Sequence, residues 1–100
     1  MRVTVFYDET ARDADIIELP ETIANDLPAI QERFFRWLFD KNNDHGYWVF
    51  ENGEKKLCAY DAEAFVFWVN KECLCRGCKK ASVVEKYAQK IDPAAPCLFF

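Results

Sequence analysis

The segment Glu51-Asn52-Gly53-Glu54 constrains this chain more than any other. Asn-Gly tolerates positive φ at both central positions of a turn, and the resulting type I′ geometry matches the twist of two antiparallel strands. Strand-like runs flank it, Tyr47-Trp48-Val49-Phe50 before and Leu57-Cys58-Ala59 after. Pairing Glu51 with Glu54 sets Trp48 opposite Leu57 and Phe50 opposite Lys55. One face then carries Trp48, Phe50, Leu57 and Ala59, and this is the expected core side. Tyr47, Val49, Lys56 and Cys58 fall on the other.

The remaining elements follow from periodicity. Arg2 to Tyr7 alternates with apolar residues on both faces, and Asp15-Ile16-Ile17-Glu18-Leu19 reads as a second strand stopped by Pro20. Ile23, Leu27, Ile30, Phe34, Trp37 and Leu38 recur at spacings of three and four, one stripe of a helix. Pro28 fits only in its first turn, so Asn25 or Asp26 is the N-cap, and the turn-formers after Lys41 end it. Asp61 caps a further segment through Glu72. Its apolar run Phe65–Val69 also fits a buried strand, but the cap and two alanines favour a helix. Ser82 and Glu85 form a capping box that predicts a short helix with Val84, Tyr87, Ala88 and Ile91 on one face. Cys97-Leu98-Phe99-Phe100 suits a final strand or a plug for the core. The predicted order is β-β-α-β-β-α-α-β. It describes one α+β domain over residues 1–100, a two-layer sandwich with a mostly antiparallel sheet of four to five strands and two to three helices on one face.

Composition narrows the function. The longest uninterrupted apolar run has six residues, Ala64 and the Phe65–Val69 stretch, against the ~20 a membrane-spanning helix needs, and no apolar leader precedes Asp8. No membrane association is expected. The net charge of −4 argues against a nucleic-acid partner, since phosphate binding needs a basic face. That charge is uneven: residues 1–32 hold eight acids and two bases, a net −6. Asp8, Glu9 and Asp13 lie in this acidic third and are candidates for docking a basic partner. Five cysteines, an odd number without framework spacing, indicate reduced thiols and a cytoplasmic location.

One cluster could carry chemistry. Cys75-x-x-Cys78 with Cys73 nearby can supply three thiolates to a zinc ion, and Cys97, Cys58 or His45 could complete the tetrahedron. Arg76, Lys79 and Lys80 would lower the thiol pKa values, which also suits redox chemistry. His45 is the only histidine, so any Cys-His or Ser-His-Asp site must be built on it. Its turn context, Asn43-Asp44-His45-Gly46, favours a solvated or capping role, and no catalytic residues are assigned. No glycine-rich phosphate loop exists, and no cofactor is expected apart from that alternative zinc.

Aromatic residues make up 16% of the chain, more than one stripe per element can hide. Phe35 and Phe39, four apart on the long helix, form a second ridge beside the core stripe. Left exposed, it marks a protein-binding patch or a homodimer seam; otherwise the sheet or the 97–100 segment covers it. These features predict a small non-enzymatic protein that acts through contact with a protein partner or with itself. The alternative is a zinc-binding or thiol-redox module centred on Cys73, Cys75 and Cys78.

Overall fold

In the computed structural model, which describes residues 1–7, 14–73, 80–88 and 90–100, the chain is α+β. Its described elements are β1 (Arg2–Phe6), β2 (Ala14–Glu18), α1 (Glu21–Ala24), α2 (Leu27–Leu38), β3 (Trp48–Glu51), β4 (Glu54–Cys58), α3 (Ala62–Trp68), β5 (Ser82–Ala88) and β6 (Cys97–Phe99). A π-helical stretch, Val69–Cys73, extends α3. Four strands form a mixed sheet in the order β5-β2-β1-β6, with β1 antiparallel to β2 and parallel to β6. The hairpin β3-β4 is a separate two-stranded sheet.

Residues whose side chains point to the same sheet face, Val3, Val5, Ile17 and Leu98, are all but fully buried beneath the helices. The α2 stripe answers them with Leu27, Ile30, Phe34 and Leu38. Asp26 occupies the N-cap position with Pro28 in the first turn, so the proline falls where a missing N–H costs nothing. Phe34 is the hub. Its ring meets Phe65 edge-on at 5.3 Å, Trp68 at 5.6 Å and Phe100 at 5.8 Å. Full burial of such a side chain stabilises the fold by roughly 2–3 kcal/mol. Residues 65–69 are helical, and the Asp61 carboxylate caps α3 by accepting from the Ala64 amide at 3.1 Å.

Three expectations are corrected. Residues 82–88 are a strand rather than the helix that Ser82 and Glu85 suggested, so the order closes β-α-β-β instead of β-α-α-β. The β-branched pair Val83-Val84 suits this edge position beside β2, and Asn70 presets the approach. Its side-chain amide donates to the Ala81 carbonyl (3.0 Å) and accepts from the Ala81 amide (2.8 Å), as a neighbouring strand would. Second, the hairpin register differs. Glu51 faces Glu54 and Phe50 faces Lys55 as expected, but a bulge that leaves Lys56 unpaired sets Trp48 opposite Cys58 and Val49 opposite Leu57. Third, the expected core face does not form: the bulge puts Leu57 on the face of Val49 and leaves Phe50 on the opposite face, and although Trp48 and Cys58 are buried, Phe50 and Leu57 stay 60% and 52% exposed. The turn itself is as read, with φ of 54° at Asn52 and 79° at Gly53.

Asp15 is charged and yet only 7% exposed. It accepts from the Tyr7 hydroxyl at 2.7 Å and from the Tyr87 amide at 3.1 Å. Tyr87 reaches it through a left-handed backbone conformation, φ 55°, where the β2-β5 ladder shifts register. The Tyr7 oxygen in turn accepts from the Ala62 amide at the start of α3 (2.8 Å). One buried carboxylate thereby ties three strands to one helix.

Candidate functional site

The hairpin is fastened at its root. An α-helix leaves its last carbonyls without partners, and the end of α2 finds them in the chain that follows. The Leu38 carbonyl accepts from His45 Nε2 at 2.7 Å and from the Cys58 thiol at 3.3 Å, and Asn43 Nδ2 donates to the Trp37 carbonyl at 2.9 Å. His45 Nδ1 accepts from the Tyr47 amide at 3.2 Å, so both ring nitrogens face backbone groups. The ring stacks on Trp48 at 5.1 Å and lies 4.7 Å from Trp37. Trp48 Nε1 donates to the Asn43 carbonyl at 2.7 Å. Lys55 lies 5.5 Å above the Trp48 ring and pairs with Asp44, whose carboxyl it holds below the usual range through a hydrogen bond and its charge.

Beyond the root the hairpin is bare. Val49, Phe50 and Leu57 are exposed, as are Phe39 at the end of α2 and Phe67 on α3. The Phe35–Phe39 ridge is only partly free. Phe35 is half-buried, with Tyr60 5.6 Å and Phe100 5.9 Å from its ring, whereas Phe39 is half exposed. The 97–100 segment therefore covers the inner half of the ridge. Exposed apolar surface is found on the hairpin as well as at Phe39, and also on the edge strands at Tyr87 of β5 and Phe99 of β6, and periodicity alone does not show that the two-stranded sheet stands apart.

Beside the hairpin root lies an open cleft of about 380 Å³ lined by Tyr47, Ala59, Tyr60, Asp61 and Glu63. Each wall has a structural reason for its position. Tyr47 and Ala59 continue the β3-β4 ladder through the Ala59 amide and Tyr47 carbonyl (2.9 Å). Tyr60 packs edge-on against Phe34 and Phe35. Asp61 is the α3 cap, and Glu63 forms an ion pair with Lys86 of β5. Burial raises the Tyr47 hydroxyl pKa, and the charges of Asp61 and Glu63 raise it further. Burial likewise pushes up the neighbouring Tyr7 hydroxyl, helped by its bond to Asp15. The cleft is aromatic and electronegative, and no periodicity in the sequence brings Tyr47 to Glu63.

The thiols are dispersed where they are described. Cys73 is half-buried at the end of the π-helical stretch, and burial pushes its thiol up against the opposing pull of Arg33. Cys58 is buried and raised by desolvation; Cys97 is exposed on edge strand β6. Cys75 and Cys78 lie outside the described residues, as do Asp8, Glu9 and Asp13. Among the described residues no group of three or more His, Cys, Asp or Glu side chains is placed to hold a metal ion. Among them, too, no helix is long and apolar enough to cross a membrane. No protein-family model, curated protein or solved structure matches this chain.

Proposed function

We propose that this protein is non-enzymatic and acts by contact with another protein chain, a different protein or a second copy, through the outer half of the 48–58 hairpin. The observation that carries this reading is the exposure of Val49 and Leu57 on one face and Phe50 on the other face of a small sheet whose root is fastened by hydrogen bonds and ring stacking. Two strands alone are marginally stable in water, so such a root is the condition for presenting an apolar surface in a fixed shape. Exposed apolar patches of this kind mark interaction sites. His45, the residue a histidine-based catalytic site would require, uses both ring nitrogens on backbone groups, which favours a binding role. The free thiols at Cys58, Cys73 and Cys97 support a reducing, cytoplasmic setting.

Sedimentation velocity over a range of concentrations, together with affinity capture from a cell extract, tests the reading. Intact protein is compared with Phe50→Ser/Leu57→Ser. The expected result is a folded variant that has lost self-association or a discrete captured protein. A strict monomer, whose captured proteins are the same with and without the substitutions, overturns it.

A further inference from the structure

Charge complementarity at the cleft beside the hairpin deepens this reading and rests on it. Cations are attracted to tyrosine faces by the ring quadrupole and to carboxylates by charge, so two tyrosines and two carboxylates around one cavity favour the same kind of guest. The cavity, about 380 Å³, lies within the range of ligand sites and has room for a single long side chain. Glu63 already binds an ammonium, that of Lys86, which approaches from β5 and is not among the lining residues. Asp61 spends Oδ1 on the Ala64 amide, and a carboxylate retains further acceptor capacity after one such bond.

We propose that the cleft lined by Tyr47, Tyr60, Asp61 and Glu63 receives a basic side chain, the lysine ammonium or arginine guanidinium of a partner protein that the hairpin contacts. The apolar tip supplies contact area and the cleft supplies selectivity. Lys86 is the internal competitor: it holds Glu63 until the incoming cation shares or displaces it.

The test is an NMR titration of the whole protein with an acetylated, amidated Gly-Lys-Gly peptide, followed at the aromatic resonances of Tyr47 and Tyr60. The arginine and norleucine analogues serve as comparisons. Saturable shifts at both tyrosines with the basic peptides and none with norleucine are expected. Glu63→Gln should weaken binding about fivefold, and Lys86→Met should tighten it by about the same factor, opposite signs that a merely structural role does not produce. Equal shifts with norleucine, or weaker binding in Lys86→Met, would overturn the proposal. Loss of self-association or capture in Phe50→Ser/Leu57→Ser without peptide binding at the tyrosines removes the cleft and leaves the contact reading standing. Peptide binding at the tyrosines with no contact through the tip removes the contact reading alone.

Discussion

Seven of the ten residues of β1 and β2 are buried, against two of the nine in β3 and β4. Both pairs are antiparallel, and both carry valine and phenylalanine. The central pair is flanked by β5 and β6 and covered by helices, so its apolar side chains leave water and drive folding. Among the described residues the hairpin has no third strand. Hydrogen bonds to the end of α2 and the His45–Trp48 stack hold it, and these act only on its root. The outer apolar residues therefore contribute little to the isolated fold and stay exposed to water.

The sharpest way to break this comparison is to damage the body. Phe34→Ala removes a fully buried ring from the centre of the aromatic cluster and is expected to cost about 3–5 kcal/mol. Against a typical total of ~5–15 kcal/mol, that unfolds much of the population or moves the urea midpoint far down. A loss below about 1 kcal/mol would mean that Phe34 is not the hub.

Tyr7→Phe is the next largest. It strips a hydrogen bond from buried Asp15 and an acceptor from the Ala62 amide, at a cost of about 1–3 kcal/mol. The same residue gives an alkaline signature. Its folded pKa is raised, by burial first and the Asp15 bond second, so the stabilisation is complete below the ordinary tyrosine value of about 10. Above that pH the unfolded chain ionises while the folded one keeps its proton, and stability falls. Denaturation series from neutral pH upward should show this fall in the intact protein and a flatter curve in Tyr7→Phe.

The hairpin tip should behave in the opposite way. Phe50→Ser/Leu57→Ser is expected to change stability by no more than about 0.5 kcal/mol per site. A loss comparable to that of Phe34→Ala would put these side chains in a core. Smallest of all is the effect of metal removal. On the contact reading a chelator leaves the melting curve unchanged; His45 and Cys58, two of the candidate fourth ligands, are already engaged at the Leu38 carbonyl. A drop of several degrees would restore zinc at Cys73, Cys75 and Cys78.

The sequence made legible what local chemistry decides. Asn52-Gly53 specified its turn, Asp61 its helix start, and the three-and-four spacing from Leu27 to Leu38 its buried stripe. It misled where distant partners decide. Ser82 and Glu85 favour a helix locally, yet β2 alongside and Asn70 across the Ala81 backbone draw the segment into the sheet. Alternation gave the hairpin two faces but contained neither the bulge at Lys56 nor the lack of a third strand among the described residues, and Phe50 and Leu57 are exposed. The cleft gathers residues from β3-β4 and α3 and was invisible for the same reason.

Photo-crosslinking from position 50 tests the central claim most directly, with benzoylphenylalanine in place of Phe50 in cells that make the protein and the same probe at exposed Glu32 of α2 as the control. A discrete adduct from position 50 and none from position 32 is predicted, at twice the chain's mass for self-contact or at another single mass for a different partner. No adduct from position 50, or the same diffuse pattern from both positions, would contradict a hairpin built for contact.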